Sequence, residues 1–135
     1  MFNGAKAAVY VGDRLLCILR DGGDIAWPNW WDFPGGGREA AETPFETLSR
    51  EVMEEVGLAV TPADVVWSYH DPGADRVSWF FVVKLSDADV RFGDEGQGWA
   101  FLSEAGFLAR ADAVPSLKDR LRLYLNGDSG VPFPG

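Results

Sequence analysis

The segment TPFETLSREVMEEVG, Thr43 to Gly57, encodes both ends of an α-helix and its buried face, and the rest of the chain has to be arranged around it. Thr43 is an N-cap residue, Pro44 suits the first helical position, and Glu46 completes a capping box. Gly57 is the glycine that closes such a helix. A turn of roughly 100° per residue puts Phe45, Leu48, Val52 and Val56 on one narrow apolar stripe, which needs a core to face. Beside that stripe, at spacing i, i+3 and i+4, come Glu51, Glu54 and Glu55. Like charges so spaced oppose a helix by about 0.2–0.5 kcal/mol per pair. Arg50 relieves Glu54 at i+4, but one guanidinium does not neutralise three carboxylates. A solvated acidic face is the ordinary explanation for such a run. Two features oppose it here. The cluster flanks the apolar stripe instead of lying opposite it, and it follows a turn of three bare glycines, Gly35 to Gly37, whose backbone can approach a ligand closely. A divalent cation, Mg²⁺ or Mn²⁺, would supply the missing positive charge. These hard ions take oxygen ligands and keep waters that phosphate oxygens replace.

Strands are expected on both sides of this helix. Ala5 to Val11 and Arg14 to Arg20 read as a β-hairpin around a Gly-Asp turn. Asp21 to Trp30 is a glycine-rich, proline-containing loop, exposed and mobile by composition. Trp31 to Phe33 forms a short strand leading to Pro34 and the glycines. Asp64 to His70 and Arg76 to Leu85 are two longer strands joined by DPGAD, and Trp99 to Leu102 is another short one. SEAGFLA supplies a helical turn or two. A last helix is expected from Pro115 to Asn126, with Leu117, Leu121 and Leu125 on one stripe. Residues 127–135 form a loosely held tail. Strands and helices are mixed without strict alternation, which predicts an α/β fold with a mixed sheet flanked by helices, in a single domain over residues 1–135.

Composition excludes several classes. With 135 residues, nearly half hydrophobic and a quarter charged, the chain has enough material for one soluble core. Its net charge of −9 argues against a nucleic-acid or membrane-surface binder and leaves small phosphorylated ligands, bridged by a cation. The one cysteine, Cys17, sits in the apolar run LLCIL and reads as a small core residue, because nothing links it to the one histidine, His70. A reducing, cytoplasmic setting fits. Asp13 and Arg14 interrupt the apolar N-terminal stretch, so it reads as neither a signal peptide nor a membrane span.

Gly36, Glu42, Arg50-Glu51, the aliphatic Val52, Glu54-Glu55, Gly57 and Leu58 stand at the spacing of one known signature. In this register the chain resembles the Nudix hydrolases, whose Nudix box has a glycine, a lone glutamate, RE, an aliphatic, EE, a glycine and an aliphatic at these places. WDFPGG before the box is similar to the family's lead-in. Ser49 and Leu48 replace the small residues common there, and Gly37 extends the glycine pair to three. The resemblance implies a Nudix-type α/β/α sandwich. It also implies hydrolysis of the pyrophosphate of a nucleoside diphosphate linked to another moiety, with two or more Mg²⁺ or Mn²⁺ ions when substrate is bound. Glu51 and Glu55 would be the primary metal ligands, and Glu54 a third ligand or one acting through them. Gly36 would offer its carbonyl to the metal. Arg50 would orient the carboxylates, the other reading being a surface pair with Glu46 or Glu54. Glu42 either supports the loop–helix junction by pairing with Arg50 or is solvated.

The family often places a further acidic ligand or general base in a later loop. In FGDEGQGW the choice is Asp94 or Glu95, and Glu95 is preferred because EGQ before an aromatic strand resembles that loop in triphosphate-cleaving relatives. The general base is Glu51, Glu54 or Glu95. For the substrate, Trp27 and Trp30 flank Pro28-Asn29 in the loop and can stack on a base. Phe81 is a further stacking candidate, although it, Trp79 and Trp31 are more often core residues. Arg38 is the best placed cation for phosphate, ahead of Lys84, Arg20 and Arg76. A small nucleotide such as an oxidised or non-standard nucleoside triphosphate is the first expectation. The rival readings are a Nudix-fold module that senses a nucleotide without cleaving it, and an acidic scaffold for a basic partner. A homodimer is compatible with either enzyme or sensor.

Overall fold

The computed structural model describes residues 2–23, 26–73 and 77–134. Seven strands form one sheet: β1 (Gly4–Val11), β2 (Arg14–Leu19), β3 (Trp31–Asp32), β4 (Gly35–Gly37), β5 (Val65–Asp71), β6 (Ser78–Leu85) and β7 (Gly98–Leu102). Three helices accompany it: α1 (Pro44–Val56), α2 (Glu104–Ala109) and α3 (Pro115–Leu125). The main path of the sheet runs β3-β2-β1-β6-β5, with β4 added to β1 and β7 added to β2. Among the named strand pairs β1 and β6 run parallel, Gly4 opposite Ser78 through Val11 opposite Leu85, and the others are antiparallel. None of the helices among the described residues is long and apolar enough to cross a membrane.

Strand alternation builds a core on each face of the sheet. In β6, Trp79, Phe81 and Val83 join Ala5, Ala7, Val9 and the α1 stripe of Phe45, Leu48, Val52 and Val56. Phe80 and Val82, one residue out of phase, join Ala8, Leu15, Cys17 and Phe33 against Phe107 of α2 and Leu117 and Leu121 of α3. Helices thus cover both faces, giving the α/β/α sandwich, and Cys17 is a buried core residue as expected.

The N-terminal hairpin, the long strands, β7 and α1 follow their sequence signals. Thr43 caps α1 in a full capping box, and Gly57 ends it at φ +68° with its N–H donating to Met53 O. Other expectations need correction. The three glycines do not form a simple turn. They are strand β4, with Gly36 opposite Ala5 and Gly35 opposite Lys6. Glycine has little strand propensity, so the pairing comes from β1, not from the segment itself. Leu125 leaves the α3 stripe and is 41% exposed. The tail is anchored, not loose. Val131 N–H donates to Ser68 O at 2.7 Å, Ser68 Oγ to Val131 O at 2.6 Å, and Trp67 Nε1 to Asp128 O at 2.7 Å. Phe133 packs between Phe45 and Phe81. The physical reason is the otherwise open edge of β5, whose backbone groups need partners. The start of the expected strand at Arg76, the Ala74-Asp75 part of the preceding turn and part of the Asp21–Trp30 loop lie outside the described residues.

Candidate active site

Helix α1 packs against β4, and a cavity of about 850 Å³ opens alongside them, walled also by residues of β1, β3 and the start of α3. Glu51 and Glu55 enter its wall from α1, Gly35, Gly36 and Gly37 from β4, and Glu95 from the loop before β7. The fit at Gly36 is close. A Cβ built there would lie 2.6 Å from the carboxyl carbon of Glu51, so the missing side chain is the space that this carboxylate occupies. Glu55 accepts the Gly35 N–H at 2.7 Å.

Arg50 binds the surroundings together. Its Nε donates to Glu42 at 2.7 Å, Nη1 to Glu51 at 2.9 Å and Glu54 at 3.3 Å, and Nη2 to the Gly37 carbonyl at 2.8 Å. Glu46 is engaged in the helix cap instead. Of the two readings of Glu42 the paired one holds. Chiefly through its hydrogen bonds from Arg50, its carboxyl is held down to about 2, and it also takes the Thr47 hydroxyl at 3.0 Å. Arg50 is correspondingly raised above its already high value by Glu42 first and Glu51 next. Burial pushes Glu55 up to about 7, with the charges of Glu51 and Asp32 adding to it, while Lys6 and the Gly35 N–H pull the other way.

Of Glu51, Glu54 and Glu55, the structure puts the first and the last on the cavity wall. Among the described residues no three Asp, Glu, His or Cys side chains stand close enough together to hold an ion as they are. Glu54 shares the Arg50 Nη1 with Glu51 but its side chain is largely exposed, while Glu51 and Glu55 line the cavity with Glu95. Asp94 is exposed. The donor set nonetheless suits a hard divalent cation. It consists of carboxylate and backbone oxygens, and one of its carboxyls is buried beside another with too little positive charge to stay readily ionised.

The aromatic and basic candidates separate clearly. Trp27 lines the cavity and is 44% exposed, with Trp30 edge-on to it at 4.8 Å. Phe81 is corrected to a core residue, fully buried between Trp79, Phe45 and Phe133, with no face left for a ligand. Trp79 is buried in the same core, and Trp31 is half-buried beneath Arg110. Arg38 lies over Phe2 and donates to Glu42 O at 3.0 Å. Lys84 sits over Tyr10 and Tyr124 on the α3 side of the sheet. Arg20 does reach the cavity.

Sequence reasoning missed Lys6 and Asp32. Both line the cavity, and Asp32, nearly inaccessible, accepts from Lys6 Nζ and Arg20 Nη1 at 2.8 Å each. Burial alone would raise Asp32; the two cations and the Phe33 N–H overcome it and lower it. A lone lysine inside AKAAVYV and an aspartate inside WDF were the available signals, since a charge inside a buried strand requires a partner.

The cavity carries Glu51, Glu55 and Glu95 together with the Lys6–Asp32–Arg20 cluster, where a capped helix meets a strand of bare glycines in an α/β/α sandwich. The NUDIX domain family model matches residues 3–124, and the chain is a member of the Nudix hydrolase family. It is 33% identical over 102 residues to an 8-oxo-dGTP diphosphatase of Escherichia coli, covering 74% of this chain and 77% of that one. It is 47% identical over 55 residues to an RNA pyrophosphohydrolase of Halorhodospira halophila, a match that covers 37% of this chain and only 29% of that relative. The crystal structure of a MutT protein from Methanosarcina mazei superposes with a TM-score of 0.75 at 20% identity, over 93% of each chain, which supports the same fold.

Proposed function

We propose that this chain hydrolyses the pyrophosphate linkage of a small nucleotide, first of all a nucleoside triphosphate carrying an oxidised or otherwise modified base, and that it does so with Mg²⁺ or Mn²⁺. The observation that carries the reading is the placement of Glu51, Glu55 and Glu95 on one cavity beside Gly36. The similarity to an 8-oxo-dGTP diphosphatase over three quarters of the chain supports the substrate class.

In this reading Glu51, Glu55, Glu95 and the Gly36 carbonyl hold the cations. When bound, they offset the charge of the pyrophosphate, polarise its P–O bonds and make water a better nucleophile. The chain's own residues do the rest. Arg50 keeps Glu51 in place through a charge-assisted bond and is itself fixed by Glu42 and Gly37 O. Glu95 is the preferred base for the attacking water, and Glu54, exposed and paired to Arg50, is left an outer role. Lys6 and Arg20, sharing Asp32, add a net positive charge to the cavity wall, which an anionic group of the substrate would meet. Trp27 offers a ring face to the base, with Trp30 behind it.

The test is release of phosphate or pyrophosphate with Mg²⁺, with Mn²⁺ and with chelator. The panel contains ordinary nucleoside triphosphates, 8-oxo-dGTP, ADP-ribose, a nucleotide sugar, a diadenosine polyphosphate and a 5′-triphosphorylated oligoribonucleotide. Metal-dependent turnover, fastest on a mononucleoside triphosphate, is expected. Tight nucleotide binding without turnover would replace the reading with a sensor.

A further inference from the structure

Gln97 follows Glu95 by two positions and has no part in the chemistry above. Its backbone N–H donates to Leu19 O at 2.9 Å, tying the loop to the end of β2. Its carboxamide nitrogen carries two hydrogens, and both are used. One goes to the Arg20 carbonyl at 2.8 Å, the other to Asn29 Oδ1 at 2.7 Å. A return contact closes the circuit: the Asp21 carboxylate accepts the Gly96 N–H at 3.1 Å, and Asp21 O accepts from Asn29 N at 3.4 Å. Beyond the β2–β7 pairing from which the two loops leave, the Gln97 side chain is what bonds to both Arg20 O and Asn29, with the Asp21 carboxylate adding one bond to Gly96. Each loop brings a residue to the cavity, Trp27 from one and Glu95 from the other.

The first of these loops needs holding. Trp27 and Asn29 both have left-handed backbone, φ +52° and +62°. Asparagine tolerates that region. A bulky aromatic residue stays there only where its surroundings over-determine it. The Gln97–Asn29 bond and the Trp27–Trp30 edge contact are such surroundings.

We infer that Gln97 is a positioning residue, the latch that sets the nucleotide-facing ring of Trp27 and the carboxylate of Glu95 in register with each other. The inference rests on the roles given above to Trp27 and Glu95. The sharpest variant is Gln97→Glu, which keeps the size and turns a carboxylate toward two oxygen acceptors. Gln97→Ala removes the latch outright. Steady-state kcat and KM are measured with Mg²⁺ on the nucleotide that turns over fastest in the panel, together with the melting temperature. Both variants are expected to raise KM at least threefold and to lower kcat at least tenfold, with Tm moved by only a few degrees. A residue that merely stabilised the fold would lower Tm and the active fraction while leaving KM unchanged, and that result overturns the latch.

Double-mutant cycles give the second readout. Glu95→Gln and Trp27→Ala should each cost less in the Gln97→Glu background than in the native chain. Effects that multiply independently overturn the coupling. If Glu95→Gln is silent in the native chain, the reading of Glu95 fails and the Trp27 cycle alone decides the latch. If Trp27→Ala is silent as well, or no nucleotide is turned over, the latch has nothing to position and falls too. Should Gln97→Glu not fold, Asn29→Gly tolerates the left-handed backbone, removes the side chain that Gln97 binds, and answers the same question.

Discussion

Gly36 and Glu51 compete for one volume, and glycine leaves it to the carboxylate. Gly36→Ala should therefore displace Glu51 and lower kcat/KM by about tenfold to a hundredfold, with only a small fall in Tm, measured by steady-state kinetics and calorimetry on the same preparation. Glu51→Gln should go further, reducing turnover by about a hundredfold or more, while the metal-free Tm holds or rises slightly because one of several crowded like charges has gone. Unchanged turnover would remove Glu51 from the site. Glu42 carries a pH signature. Its folded pKa of about 2 lies below that of the unfolded chain, about 4.3. The stability it contributes is thus complete above the unfolded value and lost as pH falls through the folded one. Between about pH 5 and pH 2, Tm of the native chain should fall more steeply than that of Glu42→Gln, as thermal melts across that window would record.

Helix α1 owes its start to two reciprocal bonds, Glu46 N–H to Thr43 Oγ1 at 3.2 Å and Thr43 N–H to Glu46 Oε1 at 2.8 Å. Thr43→Ala breaks the first and should cost about 1 kcal/mol, read as a lower urea midpoint with an unchanged slope. That this element was legible in the sequence has a physical basis. Its caps, its stripe and its acidic edge all lie within fifteen consecutive residues, so local rules settle them. Glu51, Glu55 and Arg50 were legible for the same reason. Strand β4 was not, because three glycines carry no side-chain pattern and their partner is β1. Lys6 and Asp32 were hidden in another way. Each looks like an interruption of an apolar strand until β1 and β3 are brought to one cavity and the ion pair between them forms. That Glu51 and Glu55 line the cavity while Glu54 does not could not be read from helical spacing either, since the wall is completed by β4 and the loop before β7.

Two cores, one on each face of the sheet, are joined at the β5 edge by the returning tail. Residues 128–134 cover the edge of β5, and Phe133 reaches the α1 core. Deleting residues 128–135 should cost about 2–4 kcal/mol, from the lost Phe133 packing and the tail hydrogen bonds, and should promote association through the bared edge. Urea unfolding with light scattering tests both effects, and an unchanged midpoint would mean that the tail bonds contribute nothing. The parallel β1–β6 pair sets a different limit, one of time. The β1–β2 hairpin can close as soon as both strands leave the ribosome, but the other long edge of β1 waits for Ser78 to Leu85 to be made. At about 5–20 residues per second the nascent chain holds an apolar strand edge open for several seconds. Its greatest exposure to misassembly therefore falls during synthesis, before the acid-lined cavity exists at all.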